Sequence, residues 1–152
     1  MKLKIEISPD QDEEIIIRVK AADERLRRMQ SVVSNVLDSP GVLALYDSGK
    51  EYFIPYEQIL FFECGGGRVY AHTAGAFYSC PQSLSELCGI LPASFTRASK
   101  SCLINAAAVY SITRSPTGVG EVGFVSGGKK AYVSRMYYKS VKETIEETRL
   151  KR

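Results

Sequence analysis

Tryptophan is absent from the 152-residue chain, and histidine occurs once, at His72. With one imidazole, and with Cys64, Cys80, Cys88 and Cys102 forming no Cys-x-x-Cys pair, a zinc site has no ligand set to draw on. No apolar run reaches the roughly 18 residues that a membrane-spanning helix requires. The start, Met1-Lys2-Leu3-Lys4-Ile5-Glu6, alternates charge with apolar side chains and lacks the apolar centre of a secretory signal. A chain of this size has no need of disulfide staples, so the cysteines are expected as reduced thiols in a cytoplasmic protein. No phosphate-cradling glycine motif is present, and neither cofactor nor metal is expected.

What is present suits strands. Apolar residues make up 45% of the chain, enough for a core, and nine Tyr with six Phe favour pleated structure. The net charge is +3, unevenly spread. Residues 1–38 hold seven Lys/Arg against eight Asp/Glu, and residues 39–152 hold thirteen against nine. A basic C-terminal part suits a polyanionic partner, although ordinary solvated charge explains the same numbers.

Leu3, Ile5 and Ile7 alternate with Lys4 and Glu6, predicting a half-buried strand over residues 2–8. Residues 14–20, with Ile15, Ile17 and Val19 on one face, predict a second strand that forms a hairpin with the first. Asp23 can cap a helix running to about Leu37. Leu26, Met29, Val33 and Val36 form a short a/d seam, suited either to a second helix or to the hairpin beside it. Ser39-Pro40-Gly41 breaks the chain, which divides it into an extension, 1–38, and a main domain, 39–152.

In the main domain, short apolar runs are separated by turns. Strands are predicted over 42–46, 51–54, 58–63, 69–73, 76–79, 95–97, 103–104, 109–113, 120–125 and 130–133. Ser83 and Glu86 read as a capping box opening a helix to Leu91, which Pro92 ends. A last helix is predicted from Arg135 to Thr148, with Tyr138, Val141 and Ile145 on one face. The fold class is therefore mainly β with short helices.

Four segments carry a family resemblance, in order and at matching spacing. Gln58-Ile-Leu-Phe-Phe-Glu-Cys-Gly-Gly-Gly-Arg-Val-Tyr-Ala-His-Thr73 resembles a strand–turn–strand signature of the form I-x-Y-I-E-A-x-x-x-Y-V-x-I-H-T. Residues 84–97 resemble L-x-x-L-x-x-x-L-P-x-x-F-x-R. Arg97-Ala-Ser-Lys-Ser-Cys-Leu-Ile-Asn105 resembles R-x-H-[KR]-S-x-[IL]-V-N. Tyr132-Val-Ser-Arg-Met-Tyr137, with Tyr138, resembles [IV]-P-V-S-R-R-Y. Together they are similar to the LytTR DNA-binding domain over about residues 42–149.

The resemblance implies a stack of small antiparallel sheets that contacts double-stranded DNA through interstrand loops, without a recognition helix. It implies a sequence-specific transcription regulator and no enzyme. It places the contacts in three loops. In the first, Gly67 stands where the family often has a polar residue. Arg68, in place of an aromatic, can pair with guanine or hold a phosphate, although a flexible turn with a solvated arginine explains the pair equally simply. In the second, Lys100 matches a contact position. Ser99 replaces the usual histidine, Ser101 holds the loop or a phosphate, and Arg97 is a contact or a structural partner. In the third, Arg135 matches the other main contact, with Ser134 expected to cap the helix behind it. Lys129, Lys130 and Lys139 are candidate rim contacts that add affinity without reading sequence. Asn105 is assigned to anchoring a turn, and His72 to packing or surface.

Many relatives carry an N-terminal phosphoacceptor receiver, and about 40 residues are too few for one. The extension is expected to serve homodimerisation or partner docking. Some similar regulators are restrained by a small membrane protein, a partner the resemblance leaves open. Two rival classes fit parts of the sequence. Cys64 and His72 suggest a thiol–imidazole pair, with no orienting acid. Tyr70, Phe77, Tyr78 and Tyr110 would suit single-stranded RNA or a non-DNA protein partner if they gathered outward on one sheet, but their alternation reads as core.

Overall fold

The computed structural model describes residues 9–10, 16–29 and 41–150. The chain divides into two compact units, 1–38 and 39–152. In the first, residues 16–20 are not in a strand, contrary to the predicted hairpin. Ile16, Ile17 and Val19 are all exposed, so the alternation finds no covered face among the described residues. The predicted first strand, and Val33 and Val36 of the helical seam, lie outside the described residues. The Asp23 cap forms: its carboxylate accepts from the Leu26 amide at 3.1 Å, opening a helical stretch over residues 24–29. Leu26 and Met29 are half-buried.

The second unit is mainly antiparallel β. Its strands are β1 (Val42–Asp47), β2 (Lys50–Pro55), β3 (Phe61–Gly65), β4 (Arg68–His72), β5 (Phe77–Cys80), β6 (Phe95–Ser99), β7 (Cys102–Asn105), β8 (Val109–Arg114), β9 (Gly120–Phe124) and β10 (Lys130–Val133). Helix α1 (Leu84–Ile90) lies between β5 and β6, and α2 (Tyr138–Leu150) follows β10. A seven-stranded sheet runs β2-β1-β5-β4-β3-β7-β6, and a three-stranded sheet runs β10-β9-β8.

The central strands explain this layering. Successive side chains of a strand point to opposite faces, so the run Leu60-Phe61-Phe62 must be covered on both sides. Phe61 joins Ile104, Val122, Phe124, Val133, Val141 and Ile145 in one core, formed with the small sheet and α2. Phe62 joins Leu43, Leu45, Leu84, Leu87 and Leu103 in the other, closed by α1. β7 repeats the pattern, with Leu103 in one core and Ile104 in the other. Burying a side chain such as Phe62 fully stabilises by about 1.5–3 kcal/mol.

Local signals set the ends. Ser83 Oγ accepts from the Glu86 amide at 3.1 Å, as the capping box predicts. Gln58, expected in a strand, belongs to a 3-10 turn over Tyr56–Gln58. The preceding Pro55 has no N–H to continue a ladder. Asn105 is buried; its amide donates to the Ile59 carbonyl at 2.9 Å and its carbonyl accepts from the Ala107 amide at 3.1 Å. It thereby joins the end of β7 to the segment that leads into β3.

The small sheet covers only part of one face of the large one. On the β5-β1-β2 side of that face, Val42, Tyr46, Phe53 and Phe77 are exposed, Phe53 by 68%. Among the described residues no helix is long and apolar enough to cross a membrane.

Candidate nucleic-acid interface

The first two loops meet. β3 and β4 are joined through Gly66 and Gly67, with φ of +61° and +76°. Positive φ at both central residues is the tight hairpin geometry that matches strand twist and favours glycine. Arg68 leaves this turn exposed. Alongside it, the Cys64 amide donates to the Ser101 carbonyl at 2.8 Å, fixing the turn against the 99–101 loop.

That second loop is tied from within. Arg97 Nη1 donates to the Lys100 carbonyl at 2.8 Å, and Nη2 lies 3.5 Å from Ser85 Oγ. Ser99 Oγ accepts from the Ser101 amide at 3.2 Å, and the two hydroxyls are 3.4 Å apart. Arg97 therefore uses its donors to shape the loop, while the Lys100 side chain is exposed. Arg68, Arg97 and Lys100 line one open hollow of about 680 Å³, whose one acidic lining residue is Glu86.

The third loop is reached through β6. The Ser134 amide donates to the Ala98 carbonyl at 2.8 Å, placing the end of β10 beside the start of the second loop. Ser134 does not cap a helix. Its carbonyl accepts from the Tyr137 amide at 3.1 Å, and α2 begins at Tyr138. Arg135 thus stands on a turn before the helix rather than in its first turn. The Val141 and Ile145 packing that defines the helix begins a turn later, which explains the overextended prediction. Arg135 and Lys139 are both exposed.

Two predicted rim lysines are engaged within the fold instead. Lys130 pairs with Glu121 at 3.1 Å. Lys129 donates to the Ala76 carbonyl at 2.8 Å and meets His72 Nδ1 at 3.4 Å. Burial lowers the Lys129 pKa from its ordinary value, with Glu63 acting in the opposite sense. His72 Nε2 lies 2.7 Å from Glu63, and its ring stacks on Phe61 with centroids 4.3 Å apart. With Lys129 donating at Nδ1, the neutral ring donates its Nε2 proton to Glu63. Burial holds its pKa below 6.5, against the raising effect of Glu63.

His72 is therefore half-buried and internally bonded on both nitrogens, closer to packing than to chemistry. Glu63 and Phe61 share its face of the sheet, whereas Cys64 points to the opposite face, so the thiol–imidazole pair does not form. Burial, with Glu63 nearby, pushes the Cys102 thiol up to about 12.

The core reading of the aromatic residues holds in part: Tyr78 packs against the core that contains Phe62, whereas Phe77 and Tyr110 do not. Phe77 is 60% and Tyr110 80% exposed, and Tyr70 and Tyr78 are half-buried. They do not gather on one platform: Tyr70 and Phe77 meet edge to face at 6.1 Å, Tyr78 packs against Tyr52 at 5.0 Å, and Tyr110 belongs to the small sheet.

One cation had no distinguishing mark in the sequence. Arg114, at the end of β8, lies over the Tyr138 ring, 4.7 Å from its centroid.

Comparison with known proteins agrees with this fold. The profile of the LytTr DNA-binding domain matches residues 49–146. A solved LytTr DNA-binding domain from Bacillus cereus has the same fold, with a TM-score of 0.64 at 19% identity, covering 68% of this chain and 95% of that one. No curated protein gives a significant match.

Proposed function

The chain belongs to the LytTR DNA-binding domain family, and from that premise we propose that it is a sequence-specific, cytoplasmic transcription regulator that grips double-stranded DNA through three neighbouring loops. The observation that carries this reading is the convergence of those loops. Arg68, Arg97 and Lys100 line one hollow, and the Cys64–Ser101 and Ala98–Ser134 hydrogen bonds string the three loops along adjacent strands.

In this reading Lys100 and Arg135 make the main contacts, to guanine edges or phosphates. Arg68 adds a third cation, and the Gly67 backbone approaches a phosphate where a side chain would stand off. Ser99 and Ser101 keep the second loop in shape, Arg97 holds Lys100 in place, Ser134 fixes the third turn, and Lys139 contributes at the rim. No catalytic step is assigned. The extension, 1–38, serves homodimerisation through its helical seam, giving two half-sites at fixed spacing, and a restraining membrane protein is a further partner to test.

The test is a titration against a duplex from the protein's own promoter region and a scrambled duplex, at two salt concentrations, with Lys100→Ala and Arg135→Ala alongside. Selective binding, weakened by both substitutions with folding intact, is expected. Equal binding to both duplexes, insensitive to the substitutions, overturns the loop assignment. Preference for single strands moves the weight to the Tyr70–Phe77 pair, and no binding to either moves it to a protein partner. Sedimentation of the full chain, compared with Leu26→Lys, checks the dimer.

A further inference from the structure

We infer that Arg114, which lies outside the three loops, joins Arg135 of the third loop in a two-arginine clamp for one backbone phosphate of the bound duplex. This rests on the DNA-binding reading above. The clamp is built around Gly118, in the loop joining β8 to β9. A Cβ at Gly118 would lie 2.7 Å from Arg135 Cδ, 2.9 Å from its Cγ and 3.7 Å from Arg114 Nη2. The aliphatic stem of Arg135 and the guanidinium of Arg114 thus both lie within 4 Å of one point, and a side chain there would crowd the Arg135 stem. The glycine also has a φ of +91°, which other residues rarely adopt.

The support beneath is closely packed. Arg114 lies over Tyr138, and that ring packs on Gly120, where a Cβ would come within 2.7 Å of Tyr138 Cδ2. The loop is closed by hydrogen bonds from the Ser115 amide to the Val119 carbonyl and from the Gly118 amide to the Ser115 carbonyl, both 2.9 Å. The Ser115 and Thr117 hydroxyls are 2.7 Å apart.

Charge identifies the occupant. Both arginines are exposed, and among the described residues neither forms an ion pair with a carboxylate. Two exposed cations that flank one glycine with no carboxylate paired to either attract a shared anion. A planar guanidinium held on an aromatic face still presents edge N–H groups to phosphate oxygens. The Ser134–Ala98 hydrogen bond makes this site continuous with the second loop, so a strand lying along Lys100 and Arg135 continues to Arg114.

The experiment measures binding of the full chain to the promoter duplex and the scrambled duplex across salt concentrations, for wild type, Arg114→Ala, Arg114→Lys and Arg135→Ala. Lys50→Ala, at the β1–β2 turn, serves as a charge-matched control. Arg114→Ala is expected to weaken both duplexes by a similar factor, about fivefold near physiological salt. It should also reduce the slope of log affinity against log salt by about one. Arg114→Lys should restore most of the slope, and Lys50→Ala should change neither. If wild type binds and Arg135→Ala weakens it, but Arg114→Ala leaves affinity and slope unchanged, or Lys50→Ala does as much as Arg114→Ala, the clamp is wrong and the DNA reading stands. If wild type binds no duplex, both fall together.

Discussion

The 65–68 turn and the 97–101 loop lie side by side, joined by the Cys64–Ser101 hydrogen bond, yet they are built on opposite plans. The first is a glycine turn that presents backbone and one arginine. The second fixes its own carbonyl, amide and hydroxyl groups through Arg97, Ser99 and Ser101, leaving the Lys100 side chain directed outward. In the proposed interface, one would reach a ligand by having little to clear away, and the other by having its shape settled during folding. Ordering a loop on binding costs free energy that a preformed loop does not lose again, so the second loop should carry more of the affinity for each cation it presents.

The most damaging way to erase this contrast is to remove what both loops share. Asn105→Ala deletes the amide that ties the end of β7 to the approach to β3 and leaves buried polar groups unpartnered. A loss of about 2–4 kcal/mol in urea denaturation is expected, with both loops failing together. Arg97→Ala separates them. It should loosen only the second loop and weaken duplex binding about tenfold with little change in unfolding midpoint, and Arg97→Lys should not restore binding, because one ammonium cannot replace the guanidinium fork. Gly67→Ala tests the other side. The positive φ makes it cost about 1 kcal/mol in stability, and affinity for the duplex should fall a few-fold, because the added methyl holds the phosphate off the turn.

The smallest effect should be seen in pH. His72 is held neutral by burial and by Lys129 at Nδ1, so its folded pKa lies below the ordinary 6.5. The unfolded chain takes up the proton first. Stability is therefore complete above the ordinary value and falls as pH is lowered from there through the folded value. Denaturation at about pH 7.5 and about pH 5 should show this fall for wild type and a smaller one for His72→Gln.

The strand sequence and both main-domain helices were legible, because β-period alternation, turn residues and the Ser83 cap act over a few residues. The pairing order was less so: that β5 sits between β1 and β4 depends on contacts far apart in sequence. The extension misled, since Ile15, Ile17 and Val19 alternate as a strand would but the described part of that stretch has no covered face. In the candidate site, Lys100 and Arg135 stand in recognisable motifs. Arg114 does not, because its place depends on Gly118 and on a tyrosine twenty-four positions further along the chain. Lys129 and Lys130 read as rim contacts in the sequence, and only the folded chain reveals Ala76, His72 and Glu121 as their partners.

Because Phe61 and Phe62 serve different cores, as do Leu103 and Ile104, deleting or inserting one residue inside β3 or β7 would exchange the two sets of side chains at a stroke. The hairpin tips carry no such burden. Changes of length can therefore accumulate only where the chain turns; if those turns are where it meets its target, as proposed above, a lineage built on this scaffold can alter what it recognises by insertion and deletion while its interior stays in frame.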